Sequence, residues 1–334
     1  MEVRFLENDF VRSYKKYSSA VEVEGISESF SKDVLRRFTR NKGAVIGCLS
    51  IFLIIVMSLF GPYINSHTYK SIIIEHSSLP PKVPVLQNIG IADGVIDGRD
   101  IYLEKGFEDI AYIFGTDTLG RDLWTRTWVG TRISLYIAGL AMFIDMIIGM
   151  SYGLVSGFFG GKVDIAMQRF IEILSGIPNM VIVTLLVFIL KPGIMSITVA
   201  LLIKGWIGMS RVVRAQVLKL KEQEFILASR TLGTSNRKII FNEVLPNILG
   251  QVIIMSMFSI PNAIFMESFL AFIGLGLQAP LASLGVLISE GFKSFLVFPY
   301  MVAIPTIVLA ILMLSFTVMA DGLRDAFDPK MKEM

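Results

Sequence analysis

The segment Glu224–Asn247, EFILASRTLGTSNRKIIFNEVLPN, is a polar, helix-forming stretch between long apolar runs. Residues 224–232 carry apolar side chains at helical spacing, which predicts a short amphipathic helix. Gly233 can adopt the left-handed conformation that ends such a helix, and residues 236–244 can form a second one. The sequence therefore predicts an elbow of two short helices at a membrane surface, bound to a soluble motor protein or to lipid. The apolar face of the first helix consists of Phe225, Ala228 and Leu232.

Composition places the chain among membrane proteins. Of its 334 residues, 53% are hydrophobic and 18% are charged, and the mean hydropathy is +0.65. These values lie outside the usual range of soluble domains. A membrane-crossing helix needs about 20 apolar residues, and the sequence predicts an all-α membrane protein. The nearly uncharged runs are Ala44–Ile64, Val181–Leu190 with its flanks, Val244–Met266, Ser268–Ser289 and Ser294–Ala320.

The sequence predicts six membrane-spanning helices, at about 44–64, 133–159, 165–190, 194–209, 246–274 and 296–320. Basic residues before the first span place the N-terminus in the cytoplasm by the positive-inside rule, and an even number of spans returns the C-terminus there. We therefore expect a multi-pass protein of the plasma or inner membrane. The predicted divisions are a cytoplasmic segment 1–43, the first span 44–64, an extracellular segment 65–131, a core 132–322 with five spans and the elbow at 223–244, and a cytoplasmic tail 323–334.

Two features of the sequence each allow two interpretations. Gly149, Gly153, Gly157 and Gly161 form a stripe on one helix face, which permits a close helix contact. That contact is expected within the chain, and a contact with another subunit is the alternative. Asp117 and Asp122 flank a glycine turn. They are expected to order the loop with neighbouring arginines, and a hydrolytic carboxylate pair is the alternative.

Several classes of chemistry are not supported. Residues Ser156–Lys162 approach a phosphate-binding loop, but Ser156 replaces its first glycine and Val163 the Ser or Thr that it needs. His67 and His76 are expected to be exposed in the extracellular segment, so no metal site is predicted. Basic residues line membrane edges instead of forming one patch, which argues against nucleic-acid binding. The chain is predicted to be non-enzymatic, without a cofactor of its own.

The elbow resembles the EAA motif of binding-protein-dependent ABC importer permeases, which combines an acid-Ala-Ala triplet, a glycine and a Leu-Pro ending. The chain keeps Ala228, Gly233, Leu245 and Pro246. It departs from the motif at Leu227, Ser229 and Glu243. In that family the elbow docks in a cleft of the cytoplasmic ATPase and transmits its closure. The resemblance implies that the ATPase-coupling residues are Glu224, Phe225, Ala228, Ser229, Gly233, Leu245 and Pro246.

The resemblance extends from about Arg36 to Lys330 and is to the C-type subunit of the oligopeptide/dipeptide branch. It rests on FGTDTLGRDLWTR (Phe114–Arg126), GTRISL (Gly130–Leu135), GGKVD (Gly160–Asp164), MESFLAFIGLGLQAP (Met266–Pro280) and DGLRDAFDP (Asp321–Pro329). It implies a type I permease fold with a coupling-helix elbow and an importer that favours oligopeptides over dipeptides or nickel. An ion-coupled secondary transporter is the alternative, although the paired broken helices typical of that class are not evident.

The resemblance also implies partners: a second homologous permease subunit, two cytoplasmic ATPase subunits that bind the ATP, an extracellular peptide-binding protein, the oligopeptide substrate and membrane lipid.

Four charges fall within predicted spans, where each costs about 2.5 kcal/mol or more unless it faces protein or water. They are candidates for a substrate path or an intramembrane charge network. For the lysine, two roles stay open: contact with a peptide in a cavity, or an ion pair with Glu172 or Asp145. The four residues are Asp145, Glu172, Lys204 and Glu267.

Overall fold

The computed structural model describes residues 30–85, 92–96 and 98–327. Parts of the predicted N-terminal segment and C-terminal tail therefore lie outside the described residues. A short antiparallel hairpin, β1 (Val95–Ile96) and β2 (Arg99–Asp100), precedes α3. The helices are α1 (Phe30–Arg40), α2 (Lys42–Phe60), α3 (Ile101–Lys105), α4 (Leu123–Phe159), α5 (Gly161–Gly176), α6 (Asn179–Leu190), α7 (Ile194–Leu220), α8 (Glu224–Thr231), α9 (Asn236–Phe272), α10 (Leu284–Phe292) and α11 (Tyr300–Phe327).

Within the described residues, five helices are long and apolar enough to cross a membrane, namely α2, α4, α7, α9 and α11. The pair α5 and α6 passes the same test together, but the two helices meet at an angle of 76°. Pro178 lies in this break, directly before α6, and cannot supply the N–H that a continuous helix would need. The predicted six spans are therefore met when the bent pair counts as one.

The start of α4 differs from the predicted boundary at residue 131. The Asp122 carboxylate caps the helix by accepting a hydrogen bond from the Thr125 N–H at 2.9 Å. The first turns of α4 are polar, so the sequence places them outside the span. They are helical nevertheless, and Thr125, Thr127 and Thr131 are buried in contacts with other parts of the protein. α4 thus extends almost three turns beyond the predicted span, towards the long polar stretch before it.

The described part of that polar stretch forms a folded unit, which we call the cap segment (residues 64–85, 92–96 and 98–122). Its small core contains Leu79, Tyr102 and Tyr112, and the Tyr102 hydroxyl donates to the Pro80 carbonyl at 2.8 Å. The first residue of α11 holds this unit, since the Tyr300 hydroxyl lies 3.0 Å from the Leu79 carbonyl oxygen. The cap segment is therefore attached to the helical bundle by specific polar contacts.

A buried charge network joins the cap segment to α4 and α10. Asp117 accepts from the Nε of Arg121 at 2.6 Å and from an amino group of Arg126 at 3.2 Å. Both arginines also pair with Glu290 of α10, at 2.8 and 2.9 Å. The loop-ordering interpretation is confirmed, because every oxygen of Asp117 serves an arginine or a backbone N–H. Asp122 instead caps α4.

One of the two histidines is buried, which corrects the expectation that both are exposed. His76 is 9% exposed, and its Nδ1 lies 2.6 Å from the Tyr112 hydroxyl. His67 is half-buried and stacks on the Tyr112 ring at 4.6 Å. Burial lowers the pKa of His76; Glu75 opposes this, and His67 and Lys105 add to it. Burial also raises the pKa of Tyr112 to about 12, so its hydroxyl stays protonated.

Acidification is therefore expected to loosen the cap segment. A histidine whose folded pKa lies below its usual 6.5 binds a proton more readily when unfolded. Its contribution to stability is complete above about pH 6.5 and is lost as the pH falls towards the lowered pKa. Proteolysis of the cap segment in the purified protein should accelerate between pH 7 and pH 5, relative to a His76→Gln variant measured at each pH. Equal acceleration in both proteins would contradict this prediction.

The glycine stripe packs within the chain, as expected. Three glycines of the stripe allow α4 to lie close to α7, where a larger residue would clash. A Cβ added at Gly153 would lie 2.5 Å from the Ser210 carbonyl oxygen. A Cβ added at Gly149 would lie 2.7 Å from the Met209 Cβ, and one added at Gly157 would lie 2.9 Å from the Val217 Cβ. The contact therefore joins parallel helices α4 and α7 along their C-terminal halves. Gly161 lies beyond the end of α4 and takes no part in this contact.

Candidate functional site

The elbow lies at the end of the bundle opposite the cap segment. α4 and α7 are parallel, so their C-terminal ends meet where α8 begins. At the other end, Gly130 of α4 approaches the Ser283 backbone and Gly61 packs on Trp128, next to the cap segment. The end of α11 returns to the α8 side, since Gly322 contacts Ala44 near the start of α2. Each end of the bundle therefore carries a different accessory structure.

One apolar residue fixes α8 to the bundle. Ile226 is fully buried in a cluster formed by the ends of α4, α7 and α9. The guanidinium of Arg230 lies 5.2 Å from the centre of the Phe158 ring. In addition, Lys221 donates to the Gly157 carbonyl at 3.1 Å. These contacts couple the position of α8 to the end of α4. The other buried members of the cluster are Leu154, Phe158, Met209, Val213, Val217, Ile239, Val244, Ile248 and Val252.

The predicted contact face of α8 points away from the bundle. Phe225 is 45% exposed and Leu232 is 85% exposed, and Ala228 is also exposed. Ile226, which the helical spacing did not single out, is instead the residue that packs on the bundle. Leu227, in the place of the usual acid, is exposed as well. α8 therefore has one side seated on the membrane helices and an apolar side that is free in the described chain.

Gly233 ends α8 as predicted. Its φ is +78°, in the left-handed region, and the Thr234 N–H donates to the Ser229 carbonyl at 3.0 Å. The predicted second short helix is wrong in one respect. Residues 236–244 are the first turns of α9, which continues to Phe272 without a break. The elbow is thus one short helix joined by a glycine turn to a long one.

Leu245 and Pro246 open the α-helical part of α9 that runs to Phe272, with Pro246 in its first turn as predicted, although α9 as a whole begins earlier, at Asn236. α9 contains a π-helical segment, Ile239–Val244, directly before these residues. Proline lacks the N–H of a regular α-helical bond, and a wider turn accommodates such a loss. The Leu-Pro pair thus marks a change in helix geometry between the elbow and the membrane part of α9.

A polar clamp near α8 joins three helices. Asp164 of α5 accepts both guanidinium bonds of Arg214 of α7, each at 2.6 Å. It also accepts from Ser156 of α4 at 2.5 Å. A bidentate arginine–carboxylate pair fixes orientation as well as distance. Asp164 belongs to the GGKVD segment, and its role is not evident from the sequence because its partner Arg214 is distant along the chain.

A cavity of about 560 Å³ opens among α4, α5, α6, α7 and α9. It contains Asp145 and Lys204, two of the four charges predicted within spans. The Lys204 Nζ donates to the Ile177 carbonyl at 2.5 Å, at the break between α5 and α6. The predicted ion pair is wrong, because no carboxylate oxygen of a described residue lies within 4.0 Å of this ammonium. The polar lining is Asp145, Ser175, Asn179, Lys204, Ser259 and Asn262.

The other two charges lie elsewhere. Glu172 pairs with Arg169 at 2.7 Å on the exposed side of α5, away from the cavity lining. Glu267 is fully buried and accepts from Ser134 at 3.2 Å and from Ser283. It therefore holds the loop between α9 and α10 against α4. The structure does not join the four residues into one network.

Comparison with known proteins gives two family matches. The model described as "Binding-protein-dependent transport system inner membrane component" matches residues 149–333. The model described as "N-terminal TM domain of oligopeptide transport permease C" matches residues 29–81. The first match includes the elbow, the clamp and most of the cavity lining. The second covers α1, α2 and the first part of the cap segment.

Individual relatives agree over nearly the full length. The chain is 42% identical to the dipeptide transport system permease protein DppC of Lactococcus lactis subsp. cremoris, over 98% of this chain and 99% of the relative. It is 37% identical to the oligopeptide transport system permease protein OppC of Bacillus subtilis, over 98% of each. A solved structure, the MetNI methionine ABC transporter in inward-facing conformations, aligns with a TM-score of 0.50 at 16% identity. It covers 60% of this chain and 95% of that one, and supports the fold.

Proposed function

Because the chain belongs to the family of binding-protein-dependent transport system inner membrane components, we propose that it is the non-enzymatic permease half of an ATP-driven peptide importer. Its relatives are permeases of oligopeptide and dipeptide ABC transport systems, and the chain is a permease subunit of that kind. A preference for oligopeptides over dipeptides remains a prediction. Both substrates share the peptide backbone and charged termini, so the path must recognise these common groups.

The observation that carries the coupling proposal is the two-sided environment of α8. Ile226 and Arg230 hold the helix to the bundle, while Phe225 and Leu232 stay exposed beside it. A partner that grips the exposed side would move the ends of α4, α7 and α9 together, because Ile226 packs among all three. This arrangement suits the transmission of force from a soluble ATPase, with Gly233 as the joint.

The remaining partners follow from the same arrangement. α8 lies on the cytoplasmic side in this proposal, and the cap segment faces the binding protein outside. One such chain presents a single α8, so a second similar permease and two ATPases would complete a symmetric importer. ATP binds to those ATPases and not to this chain. The cavity at Asp145 and Lys204 forms this subunit's half of the translocation path.

Substitution of Phe225 tests the coupling. In liposomes that contain the complete complex, Phe225→Asp should reduce ATP-driven peptide uptake by about tenfold or more, since it places a charge in a contact that excludes water. Basal ATP hydrolysis should continue without stimulation by loaded binding protein. Leu35→Asp is the matched control, because Leu35 is 62% exposed on α1 and takes no part in the cluster around α8. Normal uptake and stimulation in Phe225→Asp would contradict the docking role.

Reconstitution without ATPases tests the wider proposal. The competing ion-coupled transporter would use charges within the membrane and would not need a helix such as α8 that binds an ATPase. Peptide uptake driven by a proton gradient alone, with this chain and no ATPase present, would exclude the ABC permease function. We expect uptake only when ATPases, ATP and binding protein are all supplied.

A further inference from the structure

Lys204 is a membrane-embedded cation that no carboxylate of the described chain neutralises. It lies well inside α7, one of the helices long enough to cross a membrane. Its ammonium makes one hydrogen bond, to the Ile177 carbonyl, whereas an ammonium can donate three. A charge at such depth is costly and normally pairs with protein groups or marks a substrate pathway. Two donor positions of Lys204 therefore stay available on the cavity side.

The rest of the lining has polar groups that can bind a peptide backbone and an adaptable apolar part. Asn179 and Asn262 each offer amide donors and an acceptor, and Ser175 and Ser259 offer hydroxyls. The remaining lining is small or apolar, with flexible methionines such as Met255 and Met266 that adapt to different shapes. Sites of about 300–1,000 Å³ hold small molecules. At about 560 Å³, this cavity fits one end of a peptide.

We propose that Lys204 binds the C-terminal carboxylate of the peptide during translocation, which makes it a residue that determines specificity for free C-termini. This inference rests on the proposed function of the chain as a peptide permease. The carboxylate is the group that every unmodified peptide shares, so a site with adaptable walls can recognise it in substrates of any sequence. The existing bond to Ile177 orients the ammonium beside the break between α5 and α6.

Asp145 limits the strength of this contact. It lines the same cavity and starts a π-helical segment of α4, Asp145–Gly149; such segments are frequent at functional sites. Its negative charge offsets part of the attraction between Lys204 and a carboxylate. A translocation site has to bind weakly enough for the substrate to leave. The opposite charges thus allow recognition of the terminus without retention of the peptide.

The test compares one peptide in two forms, with a free C-terminal carboxylate and with a C-terminal amide. ATP-driven uptake is measured with the complete complex in liposomes, and the result is the ratio of acid uptake to amide uptake. The binding protein is the same for every permease variant, so a change in this ratio originates in the membrane part. Lys204→Met and Lys204→Gln should lower the ratio by about three- to tenfold, the effect of losing one typical hydrogen bond, since the charges of the cavity partly offset each other.

Two matched variants separate recognition from structure. Lys204→Gln keeps a donor for the Ile177 carbonyl but has no charge, and Lys204→Arg keeps both. We expect Arg to retain the acid preference and Gln to lose it while the complex assembles normally. An unchanged ratio in Met and Gln overturns the inference, as does a wild-type ratio of one. Failure of both neutral variants to assemble, with normal assembly of Arg, also overturns it, because the charge would then be structural. Absence of any ATP-driven uptake by the wild type would instead contradict the proposed function.

Discussion

Asp117→Ala is expected to lower the free energy of unfolding by about 3–5 kcal/mol, the usual cost of breaking a buried ion pair from one side. Among the described residues, the change leaves Arg121 and Arg126 with only Glu290 as an acidic partner. Arg126 is 2% exposed, so water cannot replace the lost carboxylate. The Asp117 carboxylate also accepts hydrogen bonds from the backbone N–H groups of Leu119 and Arg121, and both bonds are lost in the variant.

Chemical denaturation of the purified protein in detergent measures this loss. Glu172→Ala is the matched control, because it removes one side of the exposed Arg169–Glu172 pair, whose partners are 75% and 56% exposed. That change should cost about 0–1 kcal/mol, because water screens an exposed pair. Similar effects of the two substitutions would show that burial of the Asp117 network adds no stability. Proteolysis should also show release of the cap segment in Asp117→Ala.

Gly153→Ala is expected to destabilise the contact of α4 with α7 by about 1–3 kcal/mol, as overpacking of a close contact does. The added Cβ would lie 2.5 Å from the Ser210 carbonyl oxygen and 2.7 Å from the Val213 Cβ. The first of these atoms belongs to the backbone, so no side-chain rotation relieves the clash. α4 and α7 would have to separate, and this would disturb the packing around Ile226.

Gly139 provides the control on the same helix. No atom lies within 4 Å of a Cβ added there, so Gly139→Ala should be neutral or stabilising by about 0.5–1 kcal/mol, the usual gain from replacing a helical glycine. Thermal unfolding of the purified protein and ATP-driven uptake by the complete complex should both decline in Gly153→Ala only. Equal behaviour of the two variants would mean that the glycine contact does not hold α4 to α7.

The sequence was a good guide to elements but a poorer guide to their limits. Apolar runs predicted the spans, yet α4 begins at Leu123 because its polar first turns are buried by other parts of the chain. Likewise, helical spacing predicted α8 and its apolar face at Phe225, but did not show that Ile226 packs on the bundle. Periodicity identifies a helix that has an apolar face. It does not identify the neighbour that each apolar residue contacts when both sides are apolar.

The candidate site shows the same division. The position of α8 between two spans and the left-handed turn at Gly233 follow from local patterns, and both agree with the structure. The pairing of Asp164 with Arg214 and the place of Lys204 in the cavity do not follow from such patterns. Such contacts depend on the rotation and register of helices that are distant in sequence. Each span is helical because of its length and apolarity alone, since lipid offers no hydrogen-bond partner for its backbone. The rotation of each helix is set by many small packing contacts, such as the close approach of Gly153 to Ser210.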